Sequence, residues 1–464
     1  MATTLRPVLE RLGERAKPEE ILALKVCDPA MGSGAFLVEA CRQLADRLVA
    51  AWRKTAKTMP DLPPDEDPVP HARRLIAQPC IYGVDKNPLA VDLARLSMWL
   101  VTFAKEHPFT FVDHALREGD SLVGLSKEQI SSLAFDVGKG RQIETVRAVV
   151  SKRVARAQAL REEIHAIGDP PDNEALGRLW DEAKAELGVV KLIGDAMIAS
   201  YFQGETDKAR KKGLEDLGGV ISTWLATGEG EAEIKGMVGT FTRGIRGSYR
   251  SIGRWSSRSV FAERGGFDCF MGNPPFLGGV KISGTLSPPY LSYLLRSYLG
   301  SGGQVDLVAF FFRRGFDLLQ SKGTLGLIGT NTIAQGDTRA SGLTWICEHG
   351  GSIYAATRRL KWPGQAAVIV SVVHITRGDV VGGRLLDGKA VEMITAFLFR
   401  TGGNDSPVRI TGIRQKLSFL GSMVGGVGFT FDDGSDEATS IEVMRALVDA
   451  AIRVTASDFS FYRW

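Results

Sequence analysis

Residues 22–52, "LALKVCDPAMGSGAFLVEACRQLADRLVAAW", constrain the fold of the chain more than any other stretch. A short apolar run ends in an acid, a turn with two glycines follows, and the apolar spacing predicts a helix from about Ala35 to Trp52. The pattern of strand, acid, turn and helix returns in "CIYGVDKNPLAVDLARLSMWLVTF", and "FTFVDHALREGDSLVG" adds a third strand and loop. Such alternation predicts a parallel α/β sheet, which gathers its ligands at the carboxyl ends of its strands.

The alternation stops near Lys127. From 127 to 265 the text is charged and helical in pattern, with six basic and three acidic residues between Arg141 and His165. A solvated helical insertion is the plain reading of that balance, and a DNA-facing surface is the alternative. Strand patterns resume at "FDCFMGNPP" and continue through "TLGLIGT", "SIYAAT" and "AAVIVSVVHI", with a buried helix predicted at "DLVAFFFRRGFDLLQ". These shifts divide the chain into a first α/β half at 1–126, an insertion at 127–265, a second α/β half at 266–376 and an extension at 377–464. The extension is Gly-rich and thin in signal, apart from a helix predicted at "SIEVMRALVDAAIRV".

A chain of 464 residues with 44% hydrophobic content can bury more than one ordinary core. Its formal charge of +4 is too small to mark a general polyanion binder, so nucleic-acid contact must come from local patches. Five cysteines without CxxC or Cys/His spacing argue against a disulfide framework and a zinc site, and no metal is expected. The N-terminus has no apolar leader and no run is long enough to span a bilayer, so a cytoplasmic protein is expected.

Three acids fall at successive strand ends: Asp28 before the glycine turn, Asp85 in "YGVDKNP", and Asp120 in "EGDSL". Gly32 and Gly34 allow a tight turn with the backbone close to a ligand. Asp28 can accept from an amine, Asp85 can take both hydroxyls of a ribose, and Asp120 can accept from an exocyclic amine. Each acid alone is an ordinary cap or turn residue. Neither the P-loop lysine nor the full dinucleotide fingerprint is present.

"DPAMGSGAFL", "VDKNP", "GDSL" and "GNPPF", in this order, resemble the S-adenosylmethionine-dependent N6-adenine DNA methyltransferases of the type IIG restriction-modification group, including the phage-defence enzymes of the DISARM and BREX systems. "LIGTNTIAQGDTR" and "KWPGQAAVIVSVV" read like that group as well. The resemblance implies a class I methyltransferase, a Rossmann-like, mostly parallel seven-stranded sheet, here with a helical insertion. It implies S-adenosyl-L-methionine as cofactor, with the methionine end on Asp28, Pro29, Ala30, Gly32, Gly34 and Phe36. It implies the ribose on Asp85 beside Lys86, and the cofactor adenine near Asp120 and Leu122. Asn273, Pro274, Pro275 and Phe276 match the catalytic motif, and Trp362 falls where such enzymes stack an aromatic on the target base. The implied partners are double-stranded DNA and a separate specificity or defence-system subunit.

The chemistry suits that motif. An exocyclic adenine nitrogen is a poor nucleophile, because its lone pair is delocalised into the ring. Two fixed carbonyls, from the Asn273 side chain and the Pro274 main chain, would hold the amino hydrogens and aim the lone pair. The prolines fix φ near −65°, and Phe276 can stack on a base flipped from the duplex.

Other readings stay open at this point. Cytosine methylation through Cys80 conflicts with the apolar strand that this residue leads into. A nuclease reading rests on Pro171-Asp172 with Glu182 and Lys184, which point to different faces of the predicted helix. A protein-glutamine or RNA methyltransferase would grip its planar nitrogen with the same Asn-Pro-Pro motif, and a catalytically silent DNA-binding scaffold would keep the fold. The residues before Asp28 lack the group's upstream cofactor motif, and those after Arg377 are few for a target-recognition domain, which fits a fragment or one subunit of a split enzyme.

Overall fold

A computed structural model describes residues 2–54, 67–102, 115–135, 143–166, 173–244, 265–362, 368–404 and 441–446. Met1–Asp405 form one compact unit and Ser406–Trp464 another, of which only the helix at 441–446 is described.

The first unit is built on strands β1 (Val26–Asp28), β2 (Ile81–Asp85), β3 (Leu116–Glu118), β4 (Phe267–Gly272), β5 (Leu319–Thr330), β6 (Gly351–Lys361), β7 (Ile369–Arg377), β8 (Arg384–Leu386) and β9 (Lys389–Val391). They form one sheet in the order β3-β2-β1-β4-β5-β7-β6-β8-β9. The first five run parallel, and β7 lies antiparallel between β5 and β6. Seven of the strands make the expected class I core. The sheet is nevertheless two strands wider than expected, because the β8–β9 hairpin adds to β6. Its turn is Asp387-Gly388, with φ of 51° and 77°, the two-residue Asp-Gly loop whose twist suits a hairpin.

Alternation along the strands sends side chains to two separate cores. Val26, Ile81, Cys269 and Met271 join a cluster with helices α1 (Ala2–Leu12), α2 (Pro18–Leu22), α3 (Ala35–Lys54), α4 (Pro68–Cys80) and α5 (Pro88–Thr102). Cys27, Tyr82, Phe267 and Phe270 face the other cluster. Phe267 and Cys269 would share a face in a regular strand, and the register shift between them separates the two.

The second cluster takes in α6 (Lys127–Ser131), α7 (Glu144–Ala166), α8 (Asn173–Gln203), α9 (Asp207–Thr227) and α10 (Glu231–Gly244). It continues through α11 (Gly279–Thr285), α12 (Pro288–Ser297) and α13 (Leu307–Leu318), where Phe310, Phe311 and Phe312 are all buried as the sequence suggests. Tyr201 of α8 meets Tyr293 of α12 edge-on at 5.5 Å, so the helical segment and the strands from β4 onward share one core. On the opposite face α1 lies against β5, with Thr4 Oγ1 3.1 Å from His374 Nδ1 and Thr324 Oγ1 donating to the Thr4 carbonyl. Gly326 makes room for this approach, since a Cβ there would lie 2.1 Å from Thr4 Oγ1.

Candidate active site

Because β1 to β5 are parallel, Asp28, Asp85 and Gly272 all fall at one edge of the sheet. The strand order reverses between β1 and β4, and the crevice at such a switch point is where open α/β sheets bind ligands. The turn after β1 is stitched to the end of β2. Met31 N–H donates to the Val84 carbonyl and Gly32 N–H to Asp85 Oδ2, both at 2.9 Å. Gly32 and Gly34 take left-handed φ values of 53° and 82°, and a Cβ on Gly34 would meet Ala94 of α5 at 3.1 Å. Pro29 is buried and its carbonyl accepts from Ser121 Oγ at 2.6 Å, which ties the turn to the loop after β3. Phe36 is half-buried at the start of α3, against the first core cluster.

The three acids differ in how their oxygens are used. Asp28 is fully buried; Oδ1 accepts from Ala30 N–H at 2.9 Å, while Oδ2 has no partner among the described residues. Burial, opposed by the Ala30 N–H and reinforced by the nearby charge of Asp85, pushes its carboxyl up to about 8. Asp85 is half-buried and also accepts from Asn87 N–H at 2.8 Å, so one backbone amide occupies each oxygen and leaves lone pairs for hydroxyls. Asp120 is more engaged than expected: Oδ1 accepts from Leu122 N–H, and Oδ2 takes the Tyr290 hydroxyl at 2.9 Å and Lys86 Nζ at 3.1 Å. An amine on Asp120 is therefore left the spare lone pair of Oδ1. Leu122 itself is buried beneath this contact.

Beyond Gly272 the chain enters Asn273-Pro274-Pro275-Phe276. The Asn273 Oδ1 atom is buried without a hydrogen-bond partner among the described residues, an arrangement that carries a cost unless something binds there. Pro274 is buried, Pro275 exposed, and Phe276 half-buried against the second core cluster. Asp28 sits beside this loop, since a Cβ on Gly272 would lie 2.5 Å from its Oδ1. The loop's far end is pinned by Asp306, which accepts from Leu277 N–H at 3.3 Å and from Val308 N–H at 3.0 Å as it caps α13. Trp362 directly follows β6 at the same edge, with its backbone N–H on the Val368 carbonyl at 3.0 Å. It stands three strand positions from β4, about 14 Å at roughly 4.8 Å per strand.

The family models cover these features apart from Trp362. The model for the Eco57I restriction-modification methylase matches residues 79–346, and that for the N-6 DNA methylase matches residues 4–130. The first alone spans more than half of the 464 residues. The chain belongs to the Eco57I restriction-modification methylase family. A Methanocaldococcus jannaschii protein described as a type II restriction enzyme and methyltransferase is 28% identical over a 130-residue alignment that covers 26% of this chain and 10% of that protein. The chain thus spans about a tenth of this curated relative's length. Among solved structures, the type IIL restriction-modification enzyme MmeI in complex with DNA gives a TM-score of 0.41 at 14% identity, over 85% of this chain and 39% of that one. A nuclease-deletion mutant of the type ISP enzyme LlaGI with a DNA substrate mimic gives 0.37 at 10% identity, over 82% and 22%.

Within this Eco57I-family chain the competing constellations disperse. Cys80 is buried where β2 begins, at the edge of the sheet opposite Asn273. Glu182 pairs with Arg156 at 2.8 Å, while Pro171 and Asp172 lie outside the described residues. No cluster of metal-ligating side chains and no helix long and apolar enough to cross a membrane occurs among the described residues. Tyr290 and Asp306 are site residues that sequence reasoning missed. Asp306 does carry a signal, an acid directly before an apolar run, which is an N-cap pattern. The contact of Tyr290 with Asp120 is tertiary, across 170 residues.

Proposed function

We propose that the chain methylates the N6 amino group of a flipped adenine in double-stranded DNA, with S-adenosyl-L-methionine as donor, as the self-marking methyltransferase of a prokaryotic restriction-modification or phage-defence system, acting with a separate specificity or defence-system subunit. The observation that carries the proposal is the buried, unpartnered Asn273 carbonyl oxygen, set beside the Asp28 turn at the switch point.

The donor set fits the cofactor. Asp28 Oδ2, buried and without a partner, suits a cationic amino group, whose charge would draw the carboxyl into its ionised form. Asp85 has lone pairs for ribose hydroxyls, and the left-handed Gly32 and Gly34 leave backbone room along the turn. When bound, the cofactor supplies a methyl group already activated by its sulfonium. Asn273 Oδ1 and the Pro274 carbonyl would accept hydrogen bonds from the two amino N–H groups of the adenine, turn its lone pair toward the methyl and stabilise the positive charge that grows on nitrogen until one of its protons leaves to solvent. Phe276 and Trp362 offer aromatic faces to the flipped base, offsetting an unstacking cost of a few kcal/mol.

The test is transfer of labelled methyl from the cofactor to DNA by the purified protein with its partners. Asn273→Ala is expected to lower kcat by roughly 10²–10³-fold, the scale of one lost aimed dipole, while cofactor affinity holds. Failure of the unmodified protein to label any host DNA, or an undiminished Asn273→Ala, would overturn the proposal.

A further inference from the structure

The hairpin beyond the seven-stranded core braces the end of β6. Between Thr357 and Leu360 the register of β6 on β7 shifts, and Arg359 takes a left-handed φ of 52°. An arginine held in that conformation is a strained residue that its surroundings must enforce. The enforcement is visible. Arg358 donates to Asp387 from its backbone N–H at 2.7 Å, from Nε at 2.9 Å and from Nη2 at 2.7 Å, and to the Leu398 carbonyl from Nη1 at 3.0 Å. Asp387 N–H in turn holds the Ala356 carbonyl at 2.8 Å.

This bulge consumes the local acid. Arg359 and Lys361 are left exposed, and neither forms an ion pair among the described residues. Both stand at the carboxyl edge shortly before Trp362, three strands across from Asn273 (about 14 Å) and, by the register, about 10 Å further along the strand direction. Phosphates recur about every 3.4 Å of axis along each strand, so a duplex with one base at Asn273 carries several phosphates within that reach of the end of β6. Phosphates are contacted by such unpaired cations, which fix register and orientation without reading sequence.

We infer that Arg359 and Lys361, presented by the bulge that Arg358 and Asp387 lock, form a phosphate-contact pair that seats duplex DNA beside the catalytic loop. The inference rests on the reading of the substrate as DNA. Affinity for a labelled 20-bp duplex, measured with the full chain from about 50 to 200 mM salt, tests it. Loss of both charges in the double variant Arg359→Gln and Lys361→Gln is expected to reduce the log–log salt slope by about 1.8, at roughly 0.9 per phosphate contact, and to weaken binding similarly on unrelated sequences. Cofactor affinity and melting temperature should match the unmodified chain. Lys322→Gln, which removes one exposed charge from the opposite edge of β5, should leave the slope unchanged. A double variant with the original slope, or a Lys322→Gln effect as large per charge, overturns the inference and leaves the DNA reading standing. An unmodified chain that binds no duplex at all overturns both.

Discussion

Burial keeps the folded Asp28 carboxyl protonated to about pH 8, against an ordinary value of 3.8. A folded group that retains its proton while the unfolded chain loses it makes stability fall as pH rises through that window, and flat above it. Without cofactor, the melting temperature should therefore decline from about pH 4 to pH 8. Asp28→Asn should flatten this component, matching the parent near pH 4 and exceeding it by at least ~2 °C at pH 8.5 in scanning fluorimetry. Gly272 sets the position of the same carboxyl. In Gly272→Ala a Cβ 2.5 Å from Asp28 Oδ1 forces the acid aside, so calorimetric titration should find cofactor affinity reduced roughly tenfold or more, in line with the ~1–3 kcal/mol of an overpacked site.

At the level of elements, α1 docks on the sheet through a contact that only a glycine permits. Gly326→Ala, with its Cβ 2.1 Å from Thr4 Oγ1 and 2.7 Å from His374 Nδ1, should cost about 1–3 kcal/mol in denaturant unfolding while leaving the carboxyl edge intact. The elements that were legible in the sequence are those with enough residues to express a period. The helix predicted from Ala35 to Trp52 runs Ala35–Lys54, and the buried helix at 307–318 was plain from its apolar run. β8 and β9 carry three residues each, too few for alternation to register, and only Asp387-Gly388 marked them. The bulge in β6 had no local signal, because what creates it is Asp387, 29 residues away. In the site, the strand-end acids and Asn273–Phe276 could be read as chemistry. The proton donors that occupy Asp120 could not, since Tyr290 reaches it only once α12 packs.

Across the whole molecule, the sheet separates two cores, and the helices from Glu144 to Gly244 share theirs with the strands that carry Asn273. The division at 127 and 265 is a proposal about sequence modules, and the continuous packing argues that Met1–Asp405 melts as one body. Far-UV dichroism and near-UV signals should trace a single coincident thermal transition over this unit, and separate midpoints would show that the helices fold on their own. Tyr290 gives this shared core a further consequence. Its ring lies 6.3 Å from Phe202 of α8, and its hydroxyl holds Asp120. Close-packed interiors pass strain on with little loss. The helical segment is in that sense a lever whose short arm ends on Asp120: a displacement of α8 reaches this carboxylate through one ring, and a displacement of Asp120 reaches α8 through the same ring.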